Sequence, residues 1–264
     1  MQQTKVLPTK KTNTNMKDKI QYLYQSDIDE QIKEEEYSRV EAIVKTMEAI
    51  SRISNQSWFV IDYYKQKLIC RSKQLIFIDH AREEDFKCES INPYLSYVAE
   101  EDLNRMVESK QRCKDFFHKF SDEDKQNHVS VINFRIELHG KQIMIFQKYT
   151  PLLLRPNGKP WLGMFFIGHS TAKDYGKIYY FYGKSRFEYL EKSHTFKEER
   201  LSLSEMERKI MHSFYCGFSD KEICEKLCLS LNTIKTHKKN LYSKLCVRSR
   251  EEAMMFVHNY NIEL

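Results

Sequence analysis

Between Leu201 and Arg250 the chain reads LSLSEMERKIMHSFYCGFSDKEICEKLCLSLNTIKTHKKNLYSKLCVRSR. No other stretch constrains the fold as much, because helix-start chemistry recurs along it. Ser204 with Glu207, Ser219 with Glu222, and Ser249 with Glu252 each fit the S-x-x-E capping box. There the serine oxygen satisfies an orphan helix N–H while the glutamate reaches back to the cap. Apolar spacing agrees. Met206, Ile210, Met211 and Phe214 share one helical face, and Gly217 suits a left-handed helix end. Ile223, Cys224 and Leu227 face inward on a second helix. Ser230 caps a third, which carries Ile234, Leu241 and Leu245 inward. The gap between the second and third helices is the length of a helix-turn-helix connection.

The outward face of the third helix carries Lys235, Lys239 and Tyr242 at i, i+4 and i+7, with Thr236 and Lys238 beside them. From Lys221 to Arg250 there are eight Lys/Arg against Glu222 and Glu225. A Lys-rich helix face is most often a solvated one. Joined to helix-turn-helix spacing, it predicts a helix that enters a major groove, its early residues at base edges and its lysines at phosphates.

The segment resembles the DNA-binding domain of the LuxR/FixJ family of bacterial response regulators. The likeness rests on Leu203, Ser204 and Glu207; on Gly217, Ser219, Asp220, Lys221, Glu222 and Ile223; on Leu227, Leu229, Ser230, Thr233, Ile234, Lys235 and His237; and on Lys244, Leu245, Val247 and Arg250. Met206, Tyr215, Cys224 and Cys246 depart from that pattern. The resemblance implies that Lys235, Thr236 and Lys239 face the groove. It puts Thr233, His237 and Lys238 nearer the DNA backbone or the helix–helix seam, and Lys221 joins the set as a basic group of the same segment.

Ahead of this domain the periodicity changes. Residues 1–28 are polar and basic with little pattern, which predicts a flexible tail. Ile32, Tyr37, Val40, Ile43, Val44, Met47 and Ile50 form a helical stripe that must cover a sheet or a second copy of the chain. Strands are expected at Trp58–Tyr64, Gln66–Cys70 and Leu75–Asp79, a helix at Tyr94–Phe120, then strands at Val129–Leu138, Gln142–Leu154 and Pro160–His169. The order of two strands, helices and three antiparallel strands is that of a PAS fold. ISNQSWFVIDYY, the Glu100–Leu103 helix start and Tyr149–Leu152 are similar to the PAS-type sensors fused to LuxR-type domains in Bacteroidetes regulators, although Lys73–Ile78 departs from that pattern in lacking a glycine. Lys177–Tyr182 and Arg186–Leu190 predict a hairpin, with Glu191–Arg200 as a hinge.

The fold class expected is therefore α+β. A PAS-like antiparallel sheet with flanking helices spans 29–175, a hairpin and hinge 176–200, and a small all-α four-helix domain 201–264. Trp58, Phe134, Ile145, Phe146, Trp161 and Phe165 are candidate lining residues of a sensor pocket, although aromatic residues at such positions more often simply fill a core.

Other chemistries have weaker support. Seven scattered cysteines without a C-x-x-C suggest free thiols in a reducing cytoplasm. His212, Cys216, Cys224 and Cys228 form two i, i+4 pairs that fit no standard zinc spacing, and neither metal nor cofactor is expected. Cys88 lacks a flavin-photosensor context, and His118, His128 and His139 are poor haem candidates. No apolar run reaches the roughly eighteen residues that cross a bilayer. There is no Gly-rich phosphate loop, nucleophile elbow or paired-histidine motif, so an enzyme is not expected. The leading reading is a sequence-specific transcription regulator that binds double-stranded DNA as a homodimer and takes a small-molecule or protein signal at the PAS-like domain. The alternative is a protein-interaction module anchored to nucleic acid by its basic domain.

Overall fold

The structure, a computed structural model, describes residues 14–25, 31–54, 56–78, 92–170, 178–182, 185–199, 202–245, 247–259, 262 and 264. The expectations for Cys88, Cys246, the Gly183–Lys184 turn and residues 1–13 lie outside these residues.

Helix α1 (Thr14–Tyr24) and α2 (Tyr37–Ile53) lead into strands β1 (Ser57–Asp62) and β2 (Lys67–Arg71). Helices α3 (Glu100–Phe117) and α4 (Asp122–Asn127) follow, then β3 (Val129–Leu138), β4 (Lys141–Leu154) and β5 (Pro160–His169). Strands β6 (Ile178–Tyr182), β7 (Ser185–Leu190) and β8 (Thr195–Glu199) precede four helices: α5 (Glu205–Tyr215), α6 (Asp220–Leu227), α7 (Leu231–Leu245) and α8 (Arg250–Asn259). Among the described residues these eight strands form one sheet, ordered β2-β1-β5-β4-β3-β6-β7-β8, with antiparallel pairings. Along the chain, two strands, helices and three antiparallel strands follow one another as expected, and an α+β sheet domain is followed by an all-α domain.

Strand alternation gives the sheet two covered faces. On the inner face Phe59, Ile61, Phe134, Ile136, Ile145, Phe165 and Ile167 pack with Tyr24, Tyr94, Leu95, Leu103 and Met106. The rings of Phe59 and Phe165 lie parallel, 4.9 Å apart. On the outer face α2 sets Met47 on Trp58, Val60 and Met164, and Val40 on Trp161 and Leu162. The amphipathic stripe of α2 therefore covers this chain's own sheet.

Four expectations are corrected. Residues 14–24, placed in a mobile tail, form α1. Ile20, Leu23 and Tyr24 join the inner core, and the Tyr24 hydroxyl accepts from Asn92 Nδ2 at 2.7 Å, 68 residues along the chain. This apolar stripe is short and interrupted by charges, so its periodicity is weak. The helix expected over Tyr94–Phe120 is a 3₁₀ turn at Leu95–Tyr97 and then α3, because Val98 and Ala99 between them have extended ψ angles, Val98 bridging Ile136 and the Ala99 N–H donating to the Arg135 carbonyl oxygen. Leu75–Ile78 is a turn, with Phe77 at φ +70°, where a strand was expected. The hairpin and hinge do not stand apart from the sheet. β6 pairs with β3, and β8 occupies residues expected to flex, held by Phe196 stacked on Phe116 of α3 at 4.0 Å.

The helical domain meets the sheet's outer face beyond α2. Phe256 and Ile262 pack with Val131, Tyr179 and Phe181, and the Arg186 guanidinium lies over the rings of Tyr179 and Phe256. Lys148 Nζ donates to the His258 carbonyl oxygen at 3.2 Å, and burial pushes this amine down to about 8.

Candidate nucleic-acid interface

Helices α5 to α8 are short, so caps matter to each. Ser204 Oγ accepts from Glu207 N–H at 3.2 Å while Glu207 Oε2 accepts from Ser204 N–H at 2.7 Å. Ser219 and Glu222 repeat the arrangement at the start of α6. The third box closes one residue early: Ser249 Oγ accepts from Glu252 N–H, but the Glu252 carboxylate accepts from Arg248 N–H. Ser230 Oγ accepts from Thr233 N–H at 3.1 Å and so caps α7.

Buried Ile210, Met211, Phe214, Ile223, Ile234, Leu241, Leu245, Ala253 and Val257 make the core of this domain. Two polar ties lock it. The Arg250 guanidinium donates to the carbonyl oxygens of Phe218 (2.6 Å) and Phe214 (2.5 Å) and lies over the Phe214 ring. Lys244 Nζ donates to Glu207 Oε2 at 2.6 Å. Burial works to raise the Glu207 carboxyl, but Lys244 and Ser204 outweigh it and hold it below its usual value. Tyr215, one of the departures from the family pattern, donates from its hydroxyl to the Met254 carbonyl oxygen and ties α5 to α8.

Burying Ile234, Leu241 and Leu245 turns the opposite face of α7 to solvent. Lys235, Thr236 and Lys239 are exposed on it. Thr236 Oγ1 donates back to the Asn232 carbonyl oxygen at 3.0 Å. Thr233 and His237 are half-buried, and Thr233 is engaged with Ser230. Lys238 sits in the seam between helices: its ammonium donates to both Asp220 carboxylate oxygens, at 2.8 and 2.9 Å. Lys221 is exposed at the start of α6. Asn232, Asn240 and Ser243 share the exposed face with Lys235 and Lys239, and sequence reasoning passed over them. Asn232 lies three residues before Lys235, Ser243 four after Lys239 and Asn240 four after Thr236, and that spacing was the available signal.

The six pocket candidates are not brought together. Phe134, Ile145 and Phe165 face the inner core. Trp58 lies against α2, Trp161 meets the Tyr37 ring edge-on at 5.4 Å, and Phe146 sits by β6 and the helical domain. A period of two sends neighbouring strand residues to opposite faces, so these side chains fill two cores. Within the helical domain Cys224 packs inward while Cys216 and Cys228 are exposed. Among the described residues no group of His, Cys, Asp and Glu is placed to hold a metal ion, and no helix is long and apolar enough to cross a membrane.

The family profile described as "Bacterial regulatory proteins, luxR family" matches residues 201–257. This segment is a luxR-family helix-turn-helix domain. The chain is 36% identical over 66 residues to the transcriptional regulatory protein LnrK of Bacillus subtilis strain 168, a match that covers 25% of this chain and 30% of LnrK. It is 39% identical over 57 residues to the HTH-type transcriptional regulator MalT of Vibrio campbellii, covering 22% of this chain and 6% of MalT. The chain thus spans less than a third of the length of these curated relatives. Among solved structures, the complex of phage VqmA with DPO overlaps 84% of this chain and 88% of its own at 14% identity, with a TM-score of 0.31. That score is too low to transfer any property to the sheet domain.

Proposed function

We propose that the chain is a sequence-specific DNA-binding transcription regulator, with α7 in the major groove and the sheet domain as its input. The observation that carries this reading is the exposed stripe Asn232, Lys235, Thr236, Lys239 and Asn240, held outward by the buried Ile234, Leu241 and Leu245. Lysines and asparagines in such a stripe match base edges, since Asn pairs with adenine and Lys with guanine acceptors, while the capped start of α7 and Lys221 suit phosphates. Lys238, occupied by Asp220, orients α7 and leaves base reading to its neighbours. The regulator acts on DNA in the cytoplasm as a homodimer, because one recognition helix reads only a half-site and a two-fold pair reads two, about 34 Å apart.

The test is selection of genomic DNA fragments by the full-length protein, with K235A/K239A as control. A two-fold symmetric motif enriched by the wild type and lost in the control is the expected result. Equal enrichment by both proteins would remove α7 from the interface.

A further inference from the structure

On the outer face of the sheet α2 covers β1 and part of β5, while the end of the helical domain covers β3 and β6. Between these two covers lies a cleft of about 690 Å³. Its floor is three cross-strand pairs of β4 and β5: Phe146 opposite Gly168, Lys148 opposite Phe166, and Thr150 opposite Met164. A side-chain period of two puts all three pairs on one face. Gly168 makes room for the Phe146 ring, since a Cβ there would fall 2.5 Å from it. Tyr215 of α5 and Met254 and Met255 of α8 wall the cleft from the helical domain. Of the six sequence-derived pocket candidates, Phe146 alone lines it.

Lys148 stands in the middle of this apolar floor. It is half-buried, its Nζ lies 5.9 Å from the centre of the Phe146 ring, and it donates to the His258 carbonyl oxygen at 3.2 Å. Burial outweighs its contacts and brings the amine down from an ordinary 10.5 to about 8. At pH 7 roughly a tenth of such an amine is neutral, against under about a thousandth of a lysine in water. A desolvated lysine in a cleft is therefore a nucleophile, and the role of Lys148 in the fold does not use that property.

We propose that Lys148 is a covalent attachment site for an aldehyde with an apolar body, which enters the cleft and is held there as an imine. The neutral amine nitrogen attacks the carbonyl carbon. A C=N bond replaces the C=O bond, and the oxygen leaves as water with the two amine protons, so no oxidant or reductant takes part. The rings of Phe146, Phe166 and Tyr215 and the thioethers of Met164, Met254 and Met255 receive the body. Aromatic and methionine side chains adapt to apolar shapes, and the volume lies in the range of small-molecule sites. An unprotonated imine has no N–H, so the adduct also gives up the bond from Lys148 to α8. As an input to DNA binding the adduct rests on the regulatory reading above; as a covalent site it does not.

The test exposes the full chain at pH 7 to benzaldehyde, hexanal or acetaldehyde for equal short times. Borohydride then reduces the imine to a stable amine, and peptide mass spectrometry maps the label. Lys148 is expected to take benzaldehyde and hexanal about tenfold faster than the exposed Lys235 and Lys239. Acetaldehyde, with no body to fill the cleft, is expected to show a smaller preference. K148R, with its fold checked by circular dichroism, is expected to lose the fast fraction and keep the slow surface labelling. Equal rates at Lys148 and the exposed lysines, equal preference for all three aldehydes, or a fast fraction that survives in K148R would each overturn the proposal. Running the DNA selection on the same samples separates the two readings. An adduct at Lys148 on a protein without DNA enrichment keeps the site and removes the regulator, whereas DNA enrichment without the adduct does the reverse.

Discussion

Ser204 and Glu207 close a capping box across three residues, and the same box recurs at Ser219 and Glu222. In the sheet domain Asn92 joins Tyr24, 68 residues before it, to Gln147, 55 residues after it. The helical domain is specified by neighbours in sequence, and only a few long ties such as Lys244–Glu207 and Arg250–Phe218 complete it. The sheet domain is specified by meetings that no short window contains. Local rules therefore identify the first at sight, while the second has to be folded before its sites can be named.

The largest effect expected falls on the long-range core. Phe59→Ala deletes a fully buried ring stacked on Phe165 and should cost about 3–5 kcal/mol in chemical denaturation. A cost of under about 1 kcal/mol would mean that the stacked rings are not central to the sheet.

Acid should act next, and on the same domain. His128 is neutral in the fold down to about pH 4, whereas the unfolded chain takes up the proton near its ordinary value of 6.5. Its contribution is thus complete above pH 6.5 and is lost as pH falls from 6.5 toward 4, a change of up to about 3 kcal/mol. His128→Gln should flatten that slope in melts run across the window; an unchanged slope would assign the acid sensitivity elsewhere.

Within the helical domain, Lys239→Ala should weaken specific DNA binding by about 1–3 kcal/mol. Lys238→Ala should act instead on stability, by roughly 1 kcal/mol or less, through its ion pair with Asp220. If the two variants lose affinity alike for an isolated cognate site, the distinction between an exposed reader and a seam residue fails. Of similar size is Ser219→Ala, a cap whose loss should cost about 1 kcal/mol and be confined to this domain. A wider loss of protection in hydrogen exchange would show that the two domains unfold as one.

Much of the helical domain was legible because caps, apolar spacing and the family pattern lie within about fifty residues. Ser249 is the instructive exception: its S-x-x-E spelling is intact, yet Glu252 reaches Arg248 N–H, a choice made by the turn before α8. The PAS-like strand order was legible from run lengths and turns. The pocket was not, because bulky residues were taken from β1, β3, β4 and β5 without regard to face. Trp58 and Phe59 are adjacent and equally buried, and they belong to different cores.

By itself the sequence determined the helix-turn-helix, the lysines of α7 and the alternation of the strands, since each depends on periods and spacings within one element. Tertiary structure decided that α1 and β8 are ordered parts of the sheet domain, and that Lys238 belongs to a seam. It also decided that Phe146, Lys148, Phe166, Tyr215 and Met254 line one cleft. These depend on which faces meet after the chain has closed loops of dozens of residues, and a linear pattern holds no record of that distance.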